Sequence, residues 1–119
     1  MPKRGDRVAP PGRPGGWEAK FATTEAVKGW EALCQVAKSA MWEAYVVLTE
    51  RPQAPENRAR QHPLKGKDLG NRQVQGKSLV QWQYEVTSGA RIWYCPDPDE
   101  MIVWVVDVHP GHPKATDKR

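Results

Sequence analysis

Two periodicities of apolar residues divide the first half of the chain. Residues 17–21 (WEAKF) alternate apolar and polar positions, which predicts a short strand with Trp17, Ala19 and Phe21 on one face. From there to about residue 50, apolar residues recur at spacings of three and four, which predicts a largely helical segment with one buried stripe. The stripe consists of Val27, Trp30, Cys34, Ala37, Met41, Tyr45 and Leu48.

The ends of the helical segment are marked by residues that favour them. Thr23 or Thr24 can cap its N-terminus, and Glu25 in the first turn interacts favourably with the helix dipole. Pro52 stops the helix. The periodicity fits either one helix of roughly 26 residues or two shorter helices packed as a hairpin, since Ser39 can cap a second helix start.

The second half of the chain has the pattern of strands, after a long connection. Residues 51–76 hold three prolines and three glycines without an apolar period, which predicts an irregular connection. Residues 79–86 alternate, 91–95 follow a tight turn, and 101–108 are apolar on both faces, as in a central strand. We therefore predict an α+β fold: an N-terminal strand, a helical segment, and a three-stranded antiparallel meander, forming one twisted sheet.

Length and composition limit the class of protein. A chain of 119 residues with 39% hydrophobic and 27% charged residues forms one domain and excludes two. The two cysteines are too few for a disulfide framework. No apolar run is long enough for a membrane span or a signal peptide, so we expect a cytoplasmic protein without membrane association.

The positive charge is concentrated in two stretches. The net charge is +4; residues 1–16 carry four basic and one acidic side chain, and residues 51–76 carry six and two. Such clustering fits a surface that faces a polyanion, and it equally fits loops that are simply polar. The proline and glycine content of residues 1–16 predicts a disordered basic arm, followed by a domain at 17–113 and a flexible tail at 114–119.

The motifs of several common enzyme classes are missing. The sequence contains no GxGxxG, GxxxxGK[ST], HExxH or GxSxG string. His62, His109, His112 and Cys95 lack the spacing of a metal site, so we expect neither a metal nor a cofactor.

Several short strings occur in an informative order. Leu64-Lys65-Gly66 precedes the predicted sheet, and residues 88–94 (SGARIWY) form a predicted hairpin. These strings resemble the Leu-[Lys/Arg]-Gly and Gly-x-Arg-hydrophobic-x-Tyr strings of the RelE/ParE superfamily of bacterial toxins. The resemblance covers about residues 17–113 and implies a RelE/ParE-like fold in which the helical segment is a hairpin of two helices. Other points of similarity are Phe21, Ala26, Trp30, Leu33, Leu48, Pro52 and Val108-His109.

The resemblance also implies an activity. RelE-like members are toxins of type II toxin-antitoxin systems that cut mRNA on the ribosome, with the 2′-hydroxyl as internal nucleophile. This endoribonuclease reaction needs a base, a cation against the phosphorane charge and an acid for the leaving oxygen. The matching positions are Arg91 as the cation, with Glu85, His109 and His112 for proton transfer. The simpler interpretation of Arg91 is a surface ion pair with Glu85.

The partners that the resemblance implies are a cognate antitoxin, in a heterotetramer as one possible assembly, and mRNA in the ribosomal A site. RNA phosphates would contact Lys65, Lys67, Arg72, Lys77 and Lys114. RNA bases would stack on Tyr84, Trp82 or Trp93. The tyrosine that many ribosome-dependent relatives carry near the C-terminus is absent, so two alternatives stay open: a ParE-like inhibitor of DNA gyrase and a non-catalytic RNA- or protein-binding module.

Overall fold

The computed structural model describes residues 4–5 and 15–111. Two helices and seven strands occur in this part of the chain, and their bounds in chain order are β1 (Glu18–Phe21), α1 (Thr24–Val36), α2 (Lys38–Glu50), β2 (Gln61–Pro63), β3 (Asn71–Val74), β4 (Lys77–Val80), β5 (Trp82–Glu85), β6 (Arg91–Asp97) and β7 (Ile102–His109). The predicted arm at 1–16 lies almost entirely outside the described residues, and the tail at 114–119 lies wholly outside them. Within the described part, no helix is long and apolar enough to cross a membrane.

The main sheet has five strands in the order β1-β7-β6-β5-β2. Strands β5, β6 and β7 form the predicted antiparallel meander at its centre. Strand β1 runs parallel to β7 at one edge, and β2 pairs with β5 at the other. The predicted α+β class, with a strand, a helical hairpin and a meander, is therefore confirmed, and the sheet has one strand more than predicted.

Strand β1 and the start of α1 form as their residue pattern predicts. Ala19 and Phe21 are buried in the core between the helices and the sheet, and Trp17 packs against that core. Thr23 caps α1, because its Oγ1 accepts a hydrogen bond of 2.9 Å from the Ala26 amide. The same hydroxyl donates to the carbonyl of Val106 at 2.8 Å, so the cap also ties α1 to β7.

The helical segment is a hairpin of two helices, and Ala37 separates them. Its backbone (φ −141°, ψ 55°) leaves the helical region, and its amide closes α1 on the carbonyl of Leu33 at 2.7 Å. Ala37 is also the N-cap of α2 and makes no side-chain cap bond, so the prediction that Ser39 caps the second helix was wrong. The buried stripe is confirmed on both helices for five of its seven residues; Cys34 is partly buried at its border, and Ala37 is a half-buried residue between the helices.

The predicted strand at residues 79–86 is in fact two strands, which is a correction. It breaks at Gln81. The backbone N–H of Gln81 donates to the carbonyl of Gly70 at 3.0 Å, and its side-chain Nε2 donates to the carbonyl of Leu69 at 2.8 Å. The residues before the break belong to a separate hairpin of β3 and β4. The prediction failed because the alternation changes face at the buried Gln81: Val80 is 47% exposed, whereas Trp82 is buried.

The connection at residues 51–76 is more ordered than predicted. It contains β2 and β3, and the β3–β4 hairpin turns at Gln75-Gly76, both of which have positive φ (52° and 79°). Two successive positive φ values are typical of the tight turns whose twist suits a hairpin. The hairpin covers part of the sheet face opposite the helices, where Val74 and Leu79 pack with Cys95, Trp104 and Val106. These hairpin residues do not cover the other end of that face.

Candidate active site on the open sheet face

Three side chains of different chemistry form a row across the centre of the sheet. Glu85 on β5 is the register partner of Arg91 on β6, and Arg91 is the partner of His109 on β7. Side chains in register on adjacent strands point to the same face. The adjacent residues Ile92 and Val108 pack in the helix-side core, so the row lies on the opposite, open face. We call Glu85, Arg91 and His109 the charged row.

Arg91 is held by the turn that precedes it. Its Nη1 donates to the carbonyls of Thr87, Ser88 and Ala90 at 3.0, 3.1 and 3.2 Å. The same nitrogen is 4.0 Å from Oε2 of Glu85, which is a loose form of the ion pair expected from the simpler interpretation. Among the described residues, Nε and Nη2 of Arg91 make no hydrogen bond, so one edge of a fixed guanidinium is open to a phosphate.

His109 lies against a tryptophan that is itself fixed. The rings of Trp93 and His109 meet edge to face, with centroids 4.7 Å apart and planes at 68°. The indole Nε1 of Trp93 donates to Oε1 of Gln83 at 2.9 Å. Trp93 on β6 has two register partners, which are Gln83 on β5 and Asp107 on β7. The imidazole of His109 therefore packs against a side chain that cannot rotate without losing a hydrogen bond.

A second row lies beside the charged row. It runs across four strands and consists of His62, Gln83, Trp93 and Asp107. His62 is half-buried, and its Nδ1 lies 3.2 Å from the carbonyl of Pro63. From the sequence, His62 was a candidate only for a metal site, and Gln83 and Asp107 were not predicted as site residues. The signal for Asp107 was available, because it is the one charged residue in the apolar segment 101–108.

Asp107 brings Arg72 from the β3–β4 hairpin to the open face. Nη1 of Arg72 is 2.9 Å from Oδ2 of Asp107 and 3.2 Å from Oε1 of Gln81. Two guanidinium groups and two carboxylates therefore lie on the open face, in pairs. The positive and negative charges on this face are therefore balanced, whereas a basic face was expected from the sequence.

The other predicted site residues lie elsewhere. Lys77 forms an ion pair of 2.8 Å with the buried carboxylate of Asp97, and this hydrogen bond raises the pKa of Lys77. Asp97 is at the far end of β6 from Arg91, six residues and about 20 Å away. Lys65 and Lys67 are exposed in the loop after β2. His112 and Lys114 lie outside the described residues.

The three aromatic candidates are divided between the two faces of the sheet. Tyr84 and Trp82 are 4% and 9% exposed and pack in the helix-side core. Trp93 is half-buried on the open face, so it is the candidate of the three that a nucleic-acid base can reach there.

Neither the thiols nor the carboxylates form a metal site in the described part of the chain. No group of three or more His, Cys, Asp or Glu side chains is close enough to hold a metal ion there. Burial raises the pKa of the Cys95 thiol to about 12, so this side chain is a protonated core residue at neutral pH.

Comparisons with known proteins give one structural similarity. Neither a protein-family model nor a curated protein matches this sequence. Among solved structures, the chain is similar to a chain of the toxin-antitoxin complex RelBE2 from Mycobacterium tuberculosis, with 16% sequence identity and a TM-score of 0.46. The match covers 82% of this chain and 99% of that one.

The order of the elements is the one that the sequence resemblance implied: a strand, a hairpin of two helices, and an antiparallel meander on which the helices pack. The fold is of the α+β class, with two helices packed on one face of a five-stranded sheet. In this sheet, the charged row occupies the C-terminal end of β5, the start of β6 and the end of β7. The arrangement offers a carboxylate, a fixed cation and an imidazole within the width of three strands.

Proposed function

We propose that this protein is the toxin of a type II toxin-antitoxin pair and that it cuts mRNA on the ribosome, with the 2′-hydroxyl of the RNA as the nucleophile. The charged row is the observation that carries the proposal. A carboxylate, a guanidinium and an imidazole are the groups that this reaction needs, and they stand side by side on Glu85, Arg91 and His109.

The order of the three side chains suits the reaction. Glu85 and His109 stand on either side of Arg91, about two strand spacings, or about 10 Å, apart. A phosphate bound at Arg91 would lie between them. In an in-line displacement the attacking and leaving oxygens are on opposite sides of phosphorus, so one flanking group can serve each oxygen.

Glu85 and His109 each move one proton in the proposed step. Glu85 takes the proton of the 2′-hydroxyl, the 2′-oxygen forms a bond to phosphorus, and the bond from phosphorus to the 5′-oxygen breaks. His109 in its protonated form gives a proton to that leaving oxygen. Arg91 stabilises the charge on the phosphorane. The products are a 2′,3′-cyclic phosphate and a 5′-hydroxyl, and the reaction consumes no cofactor.

The remaining contacts of the RNA follow from exposure and position. Arg72 on the open face and the exposed Lys65 and Lys67 are the proposed phosphate contacts. Trp93 is the proposed stacking residue, in preference to the buried Tyr84. The proposed setting is the cytoplasm, with a cognate antitoxin as the protein partner and mRNA in the ribosomal A site as the substrate.

The test is to induce the protein in bacteria and to map the 5′ ends of transcripts within minutes. The variants are Arg91→Ala and His109→Ala, and Arg58→Ala is the matched control because it removes an exposed arginine of the long connection. The proposal expects new 5′ ends inside translated frames for the wild type and for Arg58→Ala, and their loss in the other two variants.

Two other outcomes would replace the proposal with its alternatives. Growth arrest without new 5′ ends, unaffected by the two variants, would indicate the ParE-like inhibition of DNA gyrase. Absence of arrest from a folded, expressed protein would leave the non-catalytic RNA- or protein-binding module.

A further inference from the structure

A small polar cavity lies on the helix side of the sheet, away from the charged row. It has a volume of about 150 Å³ and lies between α2, the loop after it, and the β2–β5 edge. That volume holds about five water molecules, which is room for a small organic molecule. The lining of the cavity includes Glu43, Arg51, Glu56, Arg60 and Tyr84.

One wall of the cavity contains a buried hydrogen-bond donor that has no acceptor among the described residues. The Nε of Arg51 is buried and has no hydrogen-bond partner within the described part of the chain. Tyr84 also lines the cavity, and its hydroxyl can donate a hydrogen bond to a ligand there. A buried donor without an acceptor costs free energy, so Arg51 Nε favours a ligand that brings an acceptor oxygen.

Two opposite charges line the cavity without neutralising each other. The guanidinium of Arg60 lies over the ring of Tyr84 at 5.2 Å and donates to the carbonyls of Glu85 and Val86, none of which carries a charge. Within the described residues, Arg60 has no ion pair, and Glu43 has none either.

Arg60 and Glu43 therefore favour a ligand that carries both a negative and a positive charge. The other guanidinium of the cavity, Arg51, is already paired with Glu50 at 3.3 Å and with Glu56 at 3.5 Å. A simple anion would be attracted by Arg60 and repelled by the exposed Glu43. A zwitterion can direct its carboxylate to Arg60, Arg51 Nε and the Tyr84 hydroxyl, and its ammonium group to Glu43.

We propose that this cavity binds a small free α-amino acid, with its carboxylate toward Arg60, Arg51 and Tyr84 and its ammonium group toward Glu43. The site is separate from the proposed nuclease site, because Tyr84 and Glu85 point to opposite faces of β5. Its test needs no RNA, so it can succeed or fail whatever the outcome for cleavage.

The experiment is a titration of the full-length protein followed by NMR chemical shifts, at constant ionic strength. The ligands are glycine, L-alanine and L-serine, with acetate and methylammonium as probes that carry one charge each. We expect saturable shifts with the amino acids and none with acetate or methylammonium alone. Saturable binding of either single-charge probe with an affinity equal to that of the amino acids would overturn the zwitterion assignment, and so would the absence of any saturable response.

Three variants locate the site. Tyr84→Phe removes the hydroxyl and keeps the ring, and Glu43→Gln removes the partner of the ammonium group. We expect each to weaken binding about tenfold or more, because each deletes a hydrogen bond to a charged group. Arg58→Gln, an exposed residue that does not line the cavity, should bind as the wild type does. Circular dichroism checks that each variant is folded, and equal affinity in all folded variants would place the ligand elsewhere and overturn the proposal.

Discussion

Arg91 and His109 face each other as register partners in the antiparallel pair β6–β7, on the sheet face that the helices leave open. Arg91 is fixed by three carbonyls of the β5–β6 turn, and the ring of His109 contacts the ring of Trp93. The pair is thus held by local contacts at the sheet and not by long flexible loops. Such anchoring is what a reaction site needs, because catalytic groups must keep their geometry as charge develops.

The first prediction concerns Arg91. Replacement by alanine should lower the rate of RNA cleavage about a hundredfold or more, since it removes the cation proposed to stabilise the phosphorane. Arg91→Lys should recover little of this loss, because an ammonium group cannot reproduce the planar fork. Cleavage of a ribosome-bound mRNA, measured in single-turnover conditions, tests both variants. Full activity of Arg91→Lys would show that charge alone is sufficient.

The second prediction concerns the hydrogen bond between Gln83 and Trp93. Gln83→Leu removes the acceptor of the indole Nε1–H, so the ring should move more freely against His109. We expect the imidazole proton resonances of His109 to shift toward those of a free histidine, and cleavage to slow several-fold. Trp42→Leu, an exposed tryptophan on α2, is the control. An unchanged His109 spectrum in Gln83→Leu would contradict a positioning role for Trp93.

The third prediction concerns the ion pair between Arg72 and Asp107. Both side chains are about one third exposed, so the coupling free energy should be small, about 0.5–1 kcal/mol. A double-mutant cycle of Arg72→Ala and Asp107→Ala, with urea unfolding as the measurement, gives this value directly. Added salt should reduce it. A coupling free energy of several kcal/mol would mean that the ion pair anchors the β3–β4 hairpin, and that a phosphate cannot displace Asp107 from Arg72.

The fourth prediction concerns Gly29 in α1. In most helix interiors, alanine in place of glycine is stabilising by about 1 kcal/mol. Here a Cβ at Gly29 would collide with the backbone carbonyl of Val108, so Gly29→Ala should destabilise the protein by about 2–4 kcal/mol. Chemical denaturation tests the sign. Gln35→Ala, at an exposed position of the same helix, should show the ordinary small effect.

The fifth prediction concerns alkaline pH. Burial raises the pKa of Cys95 from 9.0 to about 12, and it raises the pKa of Tyr94 as well. An unfolded chain would lose these protons first, so both groups contribute stability that is complete below about pH 9 and declines as the pH rises toward 12. Unfolding free energies measured across this range should fall. The fall should be smaller in Cys95→Val, and an equal fall would exclude a contribution from this thiol.

The sequence predicts the parts of the fold that depend on local pattern. The alternation of Trp17, Ala19 and Phe21, the cap at Thr23 and the strands of the meander all follow from residues close to one another in the chain. The break at Gln81 does not follow from pattern, because it depends on hydrogen bonds to Leu69 and Gly70 that only the folded connection supplies.

The candidate site is predictable to a similar extent. Glu85 and Arg91 are close in sequence on either side of a turn, and their pairing follows from the hairpin. The contacts of Arg72 with Asp107 and of Trp93 with His109 join residues 35 and 16 positions apart, and they depend on how β7 and the β3–β4 hairpin meet β6. Charge counted along the chain therefore suggests a basic surface, whereas the folded face pairs its cations with carboxylates.

The most direct test of the proposed chemistry uses a single oxygen atom of the substrate. Two ribosome-bound mRNAs are compared, one with ribose throughout and one with a 2′-deoxyribose at the nucleotide on the 5′ side of the cut. We expect rapid cleavage of the first, with a 2′,3′-cyclic phosphate on the product, and no cleavage of the second at that position. Cleavage of the deoxy substrate at a similar rate would contradict an internal 2′-hydroxyl nucleophile.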